Sequence, residues 1–416
     1  MGAMHPAESE LIYDWNVAEG ALRPARPRVE LNDETLRDGL QSPSVRTPPI
    51  EQKIEILHAL AAIGVDALNI GLPGAGPHVV ADVTRLAQEI VTGKLALAPN
   101  CAARTLEADI RPVVEISQKT GLAIEVACFL GSSPIRQYTE GWEMEKLLQL
   151  TRDAVGFATS EGLPVMYVTE DTTRARPEDT RALYTAAVEA GARRICIADT
   201  VGHATPEGTR NLVRFLRGVV DATGERVAVD WHGHNDRGLG LANAIAAAEA
   251  GADRIHGTVL GIGERVGNCA LDQLLVNFAL LGWSARNLAP LAGLCELVSR
   301  STGVTIPESY PVVGRDAFRT QTGVHAAAIL KARAKGHDWL ADRIYSGIPA
   351  AWVGRKQEVE VGPMSGQANV ACWLTERGIA STPELAQAIF QAAKQSSATL
   401  GEEEIRGICR SYGAVD

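Results

Sequence analysis

From Val29 onward the chain alternates short apolar runs with longer stretches whose apolar residues recur at helical spacing. Val29-Glu30-Leu31 predicts a first strand and Ile50 to Ile63 a first helix. Asp66 to Ile70 reads as a strand, 78–92 as a helix, 94–98 as a strand and 105–119 as a helix. Further strands are expected at 122–129, 164–169, 193–198, 226–231 and 253–259, and helices at 142–160, 177–190, 206–221, 238–250 and 269–281. Gly64, Gly121, Gly162, Gly191 and Gly251 stand where helices should stop, the usual place for a residue that accepts a left-handed conformation. Eight strand–helix units in about 250 residues predict an α/β fold, a (β/α)8 TIM barrel rather than an open doubly wound sheet.

The flanks read differently. Residues 1–28 form an N-terminal arm: Leu11-Ile12-Tyr13-Asp14-Trp15 and then a Pro- and Arg-rich segment, with Tyr13 and Trp15 as candidates to pack on the main body. Residues 29–285 make the barrel domain. After Gly282 the alternation ends, and 286–416 predict a small, mostly helical accessory domain. A polar segment, Arg319 to His325, precedes an alanine-rich helix there, and a Gly/Pro-rich stretch precedes two more helical runs.

Composition narrows the function classes. The 416 residues are 46% hydrophobic and 22% charged, with a net charge of −10, so a general nucleic-acid-binding surface is not expected. Seven cysteines, odd in number and without a Cys-x-x-Cys pair, read as reduced thiols rather than a disulfide framework or zinc ribbon. The first ten residues lack the basic-then-apolar plan of a signal peptide, and no apolar run approaches the ~20 residues of a membrane helix. A cytoplasmic protein with no membrane contact is the expectation.

A barrel concentrates its working residues just after the strands, at the C-terminal rim. Polar residues fall there in this chain: Arg37-Asp38 after the first strand, Glu170-Asp171 after the fifth, Asp199-Thr200 after the sixth and Gly261 to Asn268 after the eighth. The seventh strand ends in Trp231-His232-Gly233-His234-Asn235-Asp236. Strand side chains alternate faces, so His232 and His234 point the same way. Spacing alone leaves two readings, a pair of hydrogen-bonded core histidines or two metal ligands. The polar company on the same rim shifts the balance to metal.

Three motifs occur together and in order: Asp33-Glu34-Thr35-Leu36-Arg37-Asp38-Gly39-Leu40-Gln41-Ser42, His232-Gly233-His234-Asn235-Asp236 and Gly261-Ile262-Gly263-Glu264-Arg265-Val266-Gly267-Asn268. Over about residues 29–370 the chain resembles the isopropylmalate synthase and homocitrate synthase family, metal-dependent TIM-barrel enzymes that condense an acyl-CoA with a 2-oxo acid. The resemblance implies a divalent metal (Mg, Mn, Zn or Co) held by Asp38, His232, His234 and Asn268. It implies Arg37 at a substrate oxygen, Thr200 and Arg104 as substrate contacts, Glu170 in acid–base work, and His325 assisting proton transfer. Acetyl-CoA and a 2-oxo acid, with 2-oxoisovalerate favoured, are the implied substrates, and a homodimer the implied assembly. Other readings attach to single residues: a turn at Asp38, helix caps or turn roles for Asn268 and Thr200, a cap or core role for His325. The Gly261-x-Gly263…Gly267 spacing does not fit a dinucleotide fingerprint.

Departures from the family pattern sit at Leu40, Asn69, His203 and Ala326-Ala327-Ala328. They put the identity of the oxo acid in question. Asp-Gly-Leu-Gln also resembles hydroxymethylglutaryl-CoA lyases, but these need a cysteine in the loop after the eighth strand, and Cys269 stands where the next helix should begin. A non-catalytic metal-binding barrel is the third reading. The chain stops near Asp416 without the extra domain that confers leucine feedback in longer isopropylmalate synthases, so no such control is expected.

Overall fold

The structure, a computed structural model, describes residues 7–17, 20, 23–336 and 338–415. Residues 1–6, 18, 19, 21 and 22 of the expected N-terminal arm lie outside the described residues. The chain forms two compact units, Ala21–Thr305 on one side and Met1–Gly20 with Ile306–Asp416 on the other.

The first unit is a closed barrel of eight parallel strands: β1 (Glu30–Asp33), β2 (Ala67–Asn69), β3 (Ala98–Arg104), β4 (Glu125–Gly131), β5 (Val165–Glu170), β6 (Arg194–Asp199), β7 (Ala228–Gly233) and β8 (Arg254–Gly257). β8 pairs back with β1, Leu31 opposite Ile255 and Asn32 opposite His256, which closes the sheet and leaves no edge. Helices follow every strand, as the pattern predicts. Alternation sorts the two faces of a strand: on β7, Val229 and Trp231 face the helix layer while Asp230 and His232 point to the axis, and all four are buried.

The third strand is displaced from its expected position. Residues 94–98 read as a strand because Leu95 and Leu97 are apolar, but Lys94 and Leu95 close the helix Pro77–Thr92, with the Leu95 amide donating to Ile90 O. The strand is Ala98-Pro99-Asn100-Cys101-Ala102-Ala103-Arg104, whose small and polar residues carry little apolar signal because they line a crowded axis. The loop after β4 holds an additional short helix, Pro134–Glu140, before the expected one at Met144–Ser160. The helix Leu291–Thr302 belongs to the barrel unit, where it packs on the helix Ile50–Ile63, so the unit runs on to Thr305 instead of ending at the expected 285.

In the second unit, helices Gln367–Glu376, Pro383–Gln395 and Glu402–Ser411 bury Val370, Trp373, Leu374, Leu385, Ile389, Ile405 and Cys409 in one core. A two-stranded parallel pair, Arg319–Thr320 with Glu358–Val359, precedes the helix Gly323–Ala334 that carries His325. Tyr13 and Trp15 pack edge to face, 5.0 Å between ring centres, and stay 70% and 81% exposed instead of covering a core. No described helix is long and apolar enough to cross a membrane.

Candidate active site

Asp38, His232 and His234 meet at the C-terminal end of the barrel. The Nε2 atoms of His232 and His234 lie 3.4 Å apart, and Asp38 Oδ2 lies 3.6 and 3.7 Å from them. All three residues are buried. These separations are too wide for strong hydrogen bonds, yet ligands about 2.1 Å from one ion sit roughly 3.0–3.5 Å apart. One further atom fits that reading, since Asn268 Oδ1 is buried without a hydrogen-bond partner. Asn268 Nδ2 donates to Asp38 Oδ1 at 2.9 Å, which fixes the carboxylate. The helix after Asn268 has Ala270 at its N-cap, so Asn268 is not a cap.

The glycines of the loop after β8 make this convergence possible. Gly263 has φ +152, and a Cβ there would fall 2.2 Å from Asn268 Nδ2 and 2.8 Å from Asp38 Oδ1. At Gly267, φ +89, a Cβ would fall 1.8 Å from Gly261 O. Only glycine serves at either place. The loop is tied to β7 by Cys269 N donating to Gly233 O at 3.0 Å, and Arg265 spans to Asp236 and to Thr200 O.

Electrostatics favours an occupied cationic site. Burial raises the Asp38 carboxyl, but Arg37 and the two histidines outweigh it and hold the group well below the ordinary carboxylate range. Burial, then the neighbouring His232, lowers His234 to about 4, so it is neutral and able to ligate at neutral pH. Arg37 donates from Nη1 to Asp38 Oδ2 at 3.1 Å, and from Nε and Nη2 to Glu34 Oε2 at 2.8 and 2.5 Å.

These groups line a cavity of about 200 Å³. Its polar lining includes Glu34, Arg37, Asn69, Glu170, Thr200 and His256, and its apolar lining Leu72, Ala102, Ala127, Phe129, Met166 and Val168. Thr200 Oγ1 accepts the Asp171 amide at 2.8 Å, leaving its own proton free to donate. Burial raises the Glu170 carboxyl above its usual range.

Asp38, Arg37, Glu170, Thr200, His232 and His234 therefore share one cavity, with Asn268 behind the aspartate. Arg104 does not line it: its side chain is 58% exposed and held by Asp109 at 2.7 Å. His325 lies in the second unit, its ring stacked on Tyr345 with centres 3.9 Å apart. Sequence reasoning missed Glu34 and His256. Strand alternation could have found them, since Asn32 and Glu34 share one parity on β1 and its continuation, and Arg254 and His256 share one on β8. Cys269 is buried, pushed up to about 12 by burial, and does not line the cavity, where the lyase reading looked for a thiol from the loop after β8.

Comparison with known proteins agrees with this geometry. A family model described as HMGL-like matches residues 28–298. The chain is 33% identical to the homocitrate synthase AksA of Methanopyrus kandleri over 90% of this chain and 88% of that protein. It is 33% identical to a probable 2-isopropylmalate synthase of the same organism over 88% of this chain and 70% of that protein. Among solved structures, the HMG-CoA lyase of Bacillus subtilis superposes with a TM-score of 0.57 at 18% identity, covering 69% of this chain and 98% of that one, a likeness of fold.

Proposed function

Because this chain belongs to the HMGL-like family and its close relatives are acyl-CoA-dependent condensing synthases, we propose that it joins acetyl-CoA to 2-oxoisovalerate and hydrolyses the thioester, giving a 2-alkylmalate. The observation that carries this reading is the half-polar, half-apolar cavity against the Asp38–His232–His234 cluster. Among the described lining residues Arg37 is the only permanent cation, and most of its N–H groups are taken by Glu34 and Asp38. A second carboxylate on the acceptor would lack a partner there, whereas a branched alkyl group would meet Leu72, Phe129, Met166 and Val168.

A divalent cation held by Asp38, His232, His234 and Asn268 would supply Lewis-acid polarisation of the acceptor ketone. The remaining steps fall to side chains. Thr200 donates its hydroxyl to the acceptor carboxylate. Glu170, its basicity raised by burial, takes the proton from the acyl methyl carbon as that carbon bonds to the keto carbon. Arg37 donates its uncommitted N–H to the oxygen on which negative charge develops. That oxygen is then protonated, and the proton that Glu170 took from the methyl carbon balances the step. Water finally attacks the thioester carbon and the CoA thiol leaves.

The test is thiol release from acetyl-CoA by metal-loaded protein across a panel of 2-oxo acids, with His232→Ala as control. Release that is fastest with 2-oxoisovalerate and lost in the variant supports the reading. A preference for 2-oxoglutarate or pyruvate would move the acceptor assignment, and release with no oxo acid would defeat the condensation itself.

A further inference from the structure

A second buried group with metal-ligand chemistry adjoins the first: Glu34, His232 and His256, whose donor atoms lie within 4.8 Å of one another. We propose that Glu34 and His256 are not ligands of a second ion but a clamp that positions Arg37 over the Asp38–His232–His234 site. The inference rests on the condensing reading for its kinetic consequence, though not for its geometry.

Counting donors separates the two groups. An ionised carboxylate offers about four acceptor positions. Glu34 Oε1 accepts Asn32 Nδ2 at 2.8 Å and lies 3.2 Å from His256 Nδ1, while Oε2 accepts Arg37 Nε at 2.8 Å and Nη2 at 2.5 Å. All four positions are taken. The other nitrogen of His256, Nε2, lies 2.9 Å from Asp230 Oδ2, so that ring too is occupied on both sides. The guanidinium already supplies the positive charge that a cation beside Glu34 would bring. Around Asp38, by contrast, the three facing atoms stand 3.4–3.7 Å apart, and Asn268 Oδ1 has no partner.

The clamp is anchored from behind. Asp230 is held by Arg194 at 2.7 Å and Arg254 at 2.6 Å, and Arg254 reaches Glu125 at 2.7 Å, so a row of charge-paired side chains runs from the far end of the barrel to Arg37. A guanidinium has five N–H groups. Glu34 takes two of Arg37's and Asp38 one, Nη1 also lies 3.5 Å from Gln41 Oε1, and the second N–H of Nη2 is left for the cavity. Without the Glu34 carboxylate, Arg37 would have Asp38 as its one close anion and would turn onto it. A donor fixed in advance stabilises developing charge without reorganising, which is where electrostatic catalysis gains most.

The experiment is Glu34→Gln, alone and combined with Arg37→Ala. Alone, kcat is expected to fall about 10²-fold, as when an oriented donor is lost, with Zn²⁺ affinity by calorimetry within about threefold. In the Arg37→Ala background the same change should cost less than about threefold, because residues acting as a unit are not additive. Multiplying effects, or loss of Zn²⁺ binding in Glu34→Gln, would overturn the proposal. Should the wild type release no thiol with any oxo acid, the reaction reading fails, and a crystal structure of Glu34→Gln still decides the clamp. Arg37 turned away while Asp38, His232 and His234 superpose supports it, and Arg37 unmoved defeats it. If Glu34→Gln does not fold, Glu34→Asp keeps the charge but cannot reach both Arg37 and His256, and the same readouts apply with a drop of about tenfold.

Discussion

At the N-terminal end of the barrel interior, Asp230 sits between Arg194 and Arg254, and Glu125 completes the pairing; at the C-terminal end, Asp38, His232 and His234 face one another at 3.4–3.7 Å, wider than a strong hydrogen bond. Each end is built round a buried aspartate, Asp230 with the buried Arg254 and Asp38 with the buried His232 and His234. What differs is satisfaction. Paired buried charges hold a structure in one arrangement, while converging atoms left at wide separation, with Asn268 Oδ1 unpartnered beside them, leave room for a ligand. Glu34, His256 and Arg37 lie between the two, paired on the inner side and open on the outer.

Disabling the open end should give the largest effect. Asp38→Ala or His232→Ala is expected to remove bound divalent metal, measured by elemental analysis, and to lower thiol release by at least about 10³-fold, since the Lewis acid and its orientation go together. Chelation of the wild type should do the same and be reversed by added metal. Compared with the metal-free wild type, His232→Ala should not lower the melting temperature much.

At the paired end the pattern inverts. Asp230→Asn leaves Arg254 and Arg194 without their central anion and is expected to cost about 3–5 kcal/mol of unfolding free energy, read by urea denaturation. A variant that unfolds at the wild-type midpoint would show that this charge row is not structural.

The intermediate zone has a pH signature. Burial opposes ionisation of Glu34, but Arg37 and His256 prevail and bring it from 4.5 to about 2. A depressed carboxyl stabilises the fold fully above its unfolded value and loses that contribution as pH falls toward the folded value. The wild-type stability advantage over Glu34→Gln should be complete at pH 6 and shrink from about pH 4.5 downward, by urea denaturation at stepped pH. Asp33 runs the other way, pushed up to about 7 by burial, so the difference between the two proteins is the quantity to read.

The smallest effect is expected at Arg104. Its exposed pair with Asp109 lies outside the cavity, so Arg104→Ala should change kcat/KM by less than about threefold. A larger loss would draw the substrate path across the end of β3.

Much of the fold was legible because strand–helix alternation is written in apolar spacing and in glycine stops, both local properties. β3 slipped from view because its axis-facing residues are small or polar, Asn100 and Ala102, and a barrel axis does not demand the apolar residues a sheet face does. The metal cluster could be inferred from His232 and His234 at strand spacing, since period two is intrinsic to a strand. Arg104 lies as near a strand end as Arg37, yet one lines the cavity and the other lies against Asp109.

The sequence by itself determined the barrel, the parity that puts His232 and His234 on one side of β7, and the glycines without which the loop after β8 could not approach Asp38. Those follow from short-range geometry. Only the tertiary structure decided which buried charges are satisfied: that Asn32, His256 and Arg37, from β1, β8 and the loop after β1, close every acceptor of Glu34, while Asn268 Oδ1 stays open beside Asp38. Hydrogen-bond satisfaction is a property of groups far apart in the chain, and it exists only once barrel closure has brought them within 3 Å or so of each other.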